Sequence, residues 1–141
     1  MLTDDTKQAI QGAYTRFLEQ KGLKARYGQR LMIAEVARGL GNIETGDDNE
    51  RSGDPAVVVV EAGTGTGKTV AYSLAAIPVA RAAEKRLVIA AATVALQEQI
   101  VNKDLPDIIK NSGLKFSYAL AKGRGRYLCL SRLDHLLDSH G

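Results

Sequence analysis

The stretch VVVVEAGTGTGKTVAYSLAAIPVA, residues 57–80, decides the fold class. Its four consecutive valines are continuously apolar and β-branched, which is typical of a strand buried on both faces of a parallel sheet. A glycine-rich turn follows, and the residues from Lys68 to about Ala83 are predicted to form a helix that Pro78 kinks. Strand, glycine-rich turn and helix in this order are the context in which a phosphate-binding loop occurs.

The turn departs by one residue from the usual phosphate-loop pattern. That pattern asks for Gly, four residues and then Gly-Lys-Ser/Thr, and an alanine stands where the first glycine belongs. A small residue is enough at that position, so the turn fits the looser form A-x-x-G-x-G-K-T. The residues predicted to line the nucleotide are Ala62, Gly63, Thr64, Gly65, Thr66, Gly67, Lys68 and Thr69.

The chemistry of phosphate binding gives these residues roles. The glycines let successive backbone N–H groups converge on phosphate oxygens, and the positive end of the following helix lies at the same place. Lys68 is expected to reach the β- and γ-phosphates, and the Thr69 hydroxyl is expected to hold Mg²⁺. We therefore predict ATP and Mg²⁺ as cofactors. The alternative is a turn that only joins strand to helix, and the sequence context favours the nucleotide.

Further strands and helices extend this pattern into an α/β fold. The segments LVIAAA at 87–92 and FSYAL at 116–120 are predicted strands, and a helix is predicted to start near Thr93 between them. Strand and helix in alternation predict a parallel, doubly wound sheet. Two amphipathic helices are predicted before it, over residues 3–20 and 29–40.

The length and composition allow one domain or a piece of one. With 141 residues, of which 45% are hydrophobic, the chain can bury a single core of ordinary size. We divide it into a helical region at 1–40, a mobile acidic loop at 41–56, a nucleotide-binding α/β core at 57–121 and a final segment at 122–141. The acidic loop is assigned because residues 41–54 hold five acids, one arginine and almost no apolar side chains.

Charge and cysteine content exclude several classes of protein. Nineteen Lys and Arg against sixteen Asp and Glu give a net charge of +3, too small to identify a partner. The single cysteine, Cys129, excludes an intramolecular disulfide and suits a reducing compartment. No segment approaches the run of about twenty apolar residues that spans a bilayer. We expect a soluble intracellular protein with no membrane partner.

The predicted strands lack the acidic end that ATP hydrolysis requires. A second acidic site must hold the metal, and it usually follows an apolar strand that ends in Asp or Asp-Glu. Neither later strand ends this way, and LDHLLD at 133–138 has helical spacing without a preceding strand. We therefore predict that the chain holds ATP and hydrolyses it poorly. A small phosphotransferase fits poorly for the same reason.

Four motifs in order carry a family resemblance. They are ARYGQRLM at 25–32, EAGTGTGKT at 61–69, TVALQEQI at 93–100 and AKGRGRYLC at 121–129. Together they resemble the N-terminal part of the DinG family of damage-inducible bacterial DNA helicases, in the XPD-like iron–sulfur group of superfamily 2. The resemblance runs from about Arg26 to Cys129 and implies a RecA-like parallel sheet, of which this chain holds part.

The resemblance implies roles for residues outside the phosphate loop. Gln29, with Arg26 nearby, matches the Q-motif, in which the glutamine amide pairs with adenine. The alternative is a solvated glutamine on a helix surface. Thr93 and Gln99 lie in the motif that contacts the backbone of single-stranded DNA in these helicases. Their alternatives are a helix N-cap and a solvent-facing residue.

Cys129 takes a role only through the resemblance. GRGRYLC at 123–129 is similar to the family stretch that supplies the first of four cysteines to a 4Fe–4S cluster. The other three would lie beyond Gly141, so we expect no cluster in this chain and a free thiol. Taken alone, a cysteine is most often a small buried hydrophobe.

A basic segment agrees with a nucleic-acid partner. No acid occurs between residues 115 and 132, and Tyr118 and Tyr127 are interleaved among the cations, which suits a phosphate backbone with stacked bases. A solvated basic loop is an equal alternative. The cations are Lys115, Lys122, Arg124, Arg126 and Arg132, and the three between 122 and 126 are candidate DNA contacts.

These observations lead to one interpretation and one rival. The chain is interpreted as an N-terminal fragment of an ATP-dependent, 5′ to 3′ DNA helicase of bacterial repair or replication, in the cytoplasm and inactive alone. Its partners would be single-stranded DNA and the rest of the helicase chain, and apolar surface would favour self-association. The rival is a stand-alone ATP- or DNA-binding regulatory module without helicase activity.

Overall fold

The computed structural model describes residues 1–65 and 67–140. The predicted phosphate-loop residue Thr66 therefore lies outside the described residues. Helices dominate this part of the chain, and none of its helices is both long and apolar enough to cross a membrane. The α-helices are Asp4–Lys21 (α1), Tyr27–Gly41 (α2), Lys68–Ala82 (α3), Val94–Gln99 (α4), Leu105–Ser112 (α5) and Leu130–His140 (α6).

Helix α1 begins and ends where its sequence predicts. The Thr3 hydroxyl accepts a hydrogen bond from the Thr6 backbone N–H at 3.2 Å, which satisfies one of the unpaired donors of the first turn. At the other end Gly22 takes a left-handed conformation with φ of +62°, which favours glycine. Two acids in the first turn and one lysine in the last match the helix dipole.

The core lies between the helices. Helix α2 packs against α3, and α1 packs against α3 and α5. Leu74 on α3 and Ile108 on α5 have no accessible surface, and Phe17 on α1 joins the same cluster. Helix α3 remains helical through the buried Pro78. A π-helical turn, Ile100–Asp104, joins α4 to α5, so the helix predicted near Thr93 continues to residue 112.

The predicted parallel sheet is not confirmed. In the described residues the one sheet is an antiparallel pair, Glu44–Thr45 (β1) with Arg51–Ser52 (β2). The segments 57–60, 87–92 and 116–120 have no regular secondary structure, so none of the three predicted strands is confirmed. Their sequences satisfy the apolar pattern of strands, but a strand also needs backbone hydrogen bonds from neighbouring strands.

The first two of these segments nevertheless expose and cover their side chains with a period of two, whereas in the third only Phe116 and Leu120 are partly covered. Val57 and Val59 are 77% and 89% exposed, whereas Val58 and Val60 are 38% and 39% exposed. In the second segment Ile89 and Ala91 pack against the helical core, and in the third Phe116 does. Alternation of this kind is typical of strands with one covered face. The helices cover one side, and the opposite side carries exposed apolar residues.

Residues 41–56, predicted to be a mobile loop, contain the β1–β2 hairpin. Its turn is set by short polar side chains: Asn49 takes a φ of +62°, and the Asp48 carboxylate accepts from the Glu50 N–H at 3.1 Å. Asn and Asp tolerate such conformations because they bond to nearby backbone groups. The Gly46 N–H also donates to the Glu50 carbonyl at 2.9 Å, which closes the turn.

Candidate nucleotide-binding site

The phosphate loop joins the valine segment to α3 through two glycines in the left-handed region. Gly65 has a φ of +77° and Gly67 a φ of +70°. Side chains are strained in this region, so both positions favour glycine. A Cβ atom at Gly67 would also lie 2.5 Å from Gln29 Nε2, so the end of that side chain would have to move. The Gln29 side chain of α2 therefore lies directly against the loop.

Lys68 begins α3 and reaches back across the loop. Its Nζ donates a hydrogen bond to the Ala62 carbonyl oxygen at 2.8 Å, so the ammonium links the loop's two ends. No side chain caps the first turn of α3. The first N–H groups of a helix have no intrahelical acceptor, and they form the positive end of its dipole. Thr69, the second residue of α3, is half-buried beside them.

Two residues of α2's first turn hold the loop from the other side. Arg26 Nη1 donates to the Gly65 carbonyl at 3.0 Å, and Gln29 Nε2 donates to the Gly67 carbonyl at 3.3 Å. These contacts join residues nearly forty positions apart in the chain. The structure thus brings the two predicted adenine-side residues to the predicted phosphate-side residues.

Tyr14 on α1 is a residue of this site that the sequence did not predict. Its hydroxyl donates to Gln29 Oε1 at 3.0 Å and accepts from the Arg26 N–H at 3.4 Å. The side chain is 8% exposed. A tyrosine on the apolar face of α1 was the available signal, because a buried tyrosine hydroxyl usually finds a hydrogen-bond partner.

The residues predicted to contact DNA lie on α4 and on the basic segment 121–129. Thr93 is the N-cap of α4, since its hydroxyl accepts from the Leu96 N–H at 3.1 Å, and Gln99 is exposed at the end of that helix. Arg126 Nη1 donates to Gln97 Oε1 at 2.7 Å, which joins the basic segment to α4. Gln97 had no role in the sequence analysis.

The basic segment is ordered by its own tyrosine. The Lys122 N–H donates to the Tyr127 hydroxyl at 2.8 Å, and a 3₁₀ turn, Arg124–Arg126, lies between them. Every residue of this segment after Ala121 is exposed, including the cations and Cys129. The alternative of a buried cysteine is therefore wrong. Within the described residues no three His, Cys, Asp or Glu side chains are grouped so that they could hold a metal ion.

Comparison with known proteins agrees with the helicase resemblance over most of the chain. Residues 48–137, more than half of the chain, match the model of the DEAD/DEAH box helicase family. The ATP-dependent DNA helicase DinG of Photobacterium profundum is 40% identical over 135 residues, which are 95% of this chain and 18% of that protein.

Two further relatives carry the same name. The ATP-dependent DNA helicase DinG of Escherichia coli K12 is 38% identical over 139 residues, 98% of this chain and 18% of the relative. That of Salmonella typhimurium is 40% identical over 114 residues, 81% of this chain and 14% of the relative. The chain thus spans less than a fifth of the length of these curated relatives. The family match implies a P-loop nucleoside triphosphatase fold. By this match the chain belongs to the DEAD/DEAH box helicases.

Proposed function

We propose that this chain is the ATP-binding N-terminal part of an ATP-dependent DNA helicase and holds part of its first RecA-like domain. The observation that carries the proposal is the convergence of Arg26 and Gln29 on the loop from Ala62 to Thr69. The helicase activity in this proposal is inferred from the names of the relatives.

The loop's residues fit a triphosphate by their hydrogen-bond donors and their charge. The first turn of α3 offers backbone N–H groups without a capping side chain, and Lys68 adds a cation in the same loop. Backbone donors and a cation together are the usual means of binding phosphate. Thr69 would hold Mg²⁺, which neutralises phosphate charge when bound. Gln29 would read the adenine with its amide.

The DNA-binding surface in this proposal consists of α4 and residues 122–126. Thr93 and Gln99 supply neutral hydrogen bonds to the backbone of single-stranded DNA, and Lys122, Arg124 and Arg126 supply charge. The bond between Arg126 and Gln97 supports a single surface, because it ties the basic segment to the helix. A solvated basic segment would need no such attachment.

The helicase activity itself belongs, in this proposal, to a longer protein. Neither LVIAAA at 87–92 nor FSYAL at 116–120 ends in the Asp or Asp-Glu that would complete the Mg²⁺ site, so we expect the chain alone to bind ATP without efficient hydrolysis and not to unwind DNA. Cys129 would be one of four ligands of a 4Fe–4S cluster, with the other three outside this sequence. Measurable DNA-stimulated ATP hydrolysis by the purified chain would contradict this part of the proposal.

The direct test is equilibrium binding of a fluorescent ATP analogue with Mg²⁺ to the purified chain. Lys68→Ala removes the loop's only side-chain cation, and we expect the affinity to fall by about tenfold or more, as for loss of a charged hydrogen bond. Lys110→Ala, which removes the same charge from an exposed position on α5, is the control. Equal affinities for the wild type and Lys68→Ala would refute nucleotide binding by this loop.

A further inference from the structure

A chain of hydrogen bonds runs from α1 to the phosphate loop. The Arg26 N–H donates to the Tyr14 hydroxyl at 3.4 Å, that hydroxyl donates to Gln29 Oε1 at 3.0 Å, and Gln29 Nε2 donates to the Gly67 carbonyl at 3.3 Å. Three segments that are distant in sequence are therefore linked by one tyrosine and one glutamine. The link is partly shielded from water, since Tyr14 is 8% exposed and Gln29 is half-buried.

These bonds determine which end of the Gln29 amide is oxygen and which is nitrogen. The Gly67 carbonyl can only accept, so the NH₂ group must face it. The Tyr14 hydroxyl already accepts from the Arg26 N–H, so its own hydrogen is directed to the amide oxygen. A flipped amide would place its oxygen against the Gly67 carbonyl, and the orientation is fixed from both ends.

A fixed amide matters because the two purines differ at the edge that an amide reads. Adenine presents the N7 acceptor beside the N6 amino donor, whereas guanine presents two acceptors, N7 and O6. A glutamine amide has one donor end and one acceptor end, so it pairs with adenine in one orientation and cannot satisfy both guanine acceptors.

We infer that Tyr14 is a positioning residue for nucleotide recognition: its hydroxyl fixes the Gln29 amide in the orientation that selects adenine, and through that amide it holds the phosphate loop at Gly67. This inference rests on the proposed nucleotide-binding function. It assigns a specificity role to a residue of α1, outside the phosphate loop.

The test compares ATP and GTP binding by Tyr14→Phe, which removes the hydroxyl and keeps the ring. We expect ATP affinity to fall about fivefold more than GTP affinity, the effect of losing one neutral hydrogen bond to the base-reading amide. The preference for ATP over GTP would therefore narrow about fivefold. A role in packing alone would lower both affinities in parallel, and that result would overturn the inference.

Two variants control this experiment. Tyr118→Phe also removes one hydroxyl hydrogen bond, to the Val101 carbonyl at 3.1 Å, and should leave the preference for ATP unchanged. Tyr14→Phe combined with Gln29→Ala should bind ATP no more weakly than Gln29→Ala alone, because the hydroxyl acts through that amide. Additive losses in the double variant would contradict the inference.

A measurement without nucleotide keeps the two proposals separable. The side-chain amide resonances of Gln29 and the backbone resonance of Gly67 should shift in the NMR spectrum of Tyr14→Phe. Unchanged resonances would overturn the role of Tyr14 even if the wild type binds ATP. If the wild type binds no ATP, the proposed function fails, and the resonances still decide whether Tyr14 orients Gln29.

Discussion

The helical layer and the three apolar segments at 57–60, 87–92 and 116–120 contrast in how completely they are formed. In the helical layer Leu74 and Ile108 are fully buried, whereas Val59 in the first segment is 89% exposed. Both regions have the apolar pattern that their predicted structure requires. They differ in where their backbone partners come from.

A helix satisfies most of its backbone hydrogen bonds within itself, whereas a strand depends on its neighbours. The helical layer can therefore form from local sequence and one apolar contact surface. The first two segments alternate in exposure as strands do, with one covered side, although they lack the backbone hydrogen bonds of a sheet. Side-chain burial against the helices is thus enough to set this alternation, whereas a sheet also needs backbone hydrogen bonds between neighbouring strands.

The largest effect is expected from a cavity in the helical layer. Leu74→Ala should lower the free energy of unfolding by about 2–5 kcal/mol, because the side chain is fully buried between packed helices. Leu137→Ala makes the same change at a position on α6 that is 62% exposed and should cost less than about 0.5 kcal/mol. Urea unfolding measures both, and similar costs would mean that the helices do not form the stable part of the chain.

A second effect is expected on the open side of the valine segment. Exposed valines that lie together favour self-association, and burying one is worth about 1.5 kcal/mol or more. The double variant Val57→Asp, Val59→Asp should therefore weaken self-association by about tenfold or more, measured by sedimentation equilibrium over a range of concentrations.

Val94→Asp is the control for that experiment, since it places one such charge at an exposed valine in the first turn of α4. It should leave self-association unchanged. A wild-type chain that is monomeric at every concentration would contradict the expectation and would favour the stand-alone binding module.

The comparison also explains which parts of the fold the sequence can predict. The N-cap Thr3 and the terminal Gly22 are local signals, and α1 begins and ends beside them. The run at 57–60 predicted a strand because β-branched residues suit a sheet, but that pattern cannot supply the strand's partners. The hairpin within residues 41–56 was not predicted, because its turn depends on one residue in the left-handed conformation, Asn49.

The candidate site divides in the same way. The phosphate loop could be recognised from its local sequence, because its glycines, lysine and threonine all lie within residues 63–69. Arg26 and Gln29 needed the family resemblance, and Tyr14 escaped prediction altogether. Its role depends on a contact fifteen residues along the chain, between two helices whose packing no local pattern describes.

The smallest effect is expected at Thr93, where the second apolar segment meets α4. Thr93→Asp keeps an N-cap of equal quality, so stability should stay unchanged. If the hydroxyl lies at the DNA backbone, the new charge should lower affinity for a fluorescent single-stranded oligothymidine by about threefold to tenfold. Thr3→Asp adds the same charge at the N-cap of α1 and should leave DNA affinity unchanged. Equal affinities for Thr93→Asp and Thr3→Asp would leave Thr93 as a helix cap only.

Hydrogen–deuterium exchange with and without Mg²⁺ and ATP tests most directly whether the helical layer presents a working phosphate loop. We expect the backbone amides of residues 63–70 to exchange more slowly when ATP is added. The amides at the start of α2, where Arg26 and Gln29 contact the loop, should also exchange more slowly. The Lys68→Ala variant should show no such protection. Protection that is absent from the loop, or that persists in Lys68→Ala, would contradict ATP binding at this site.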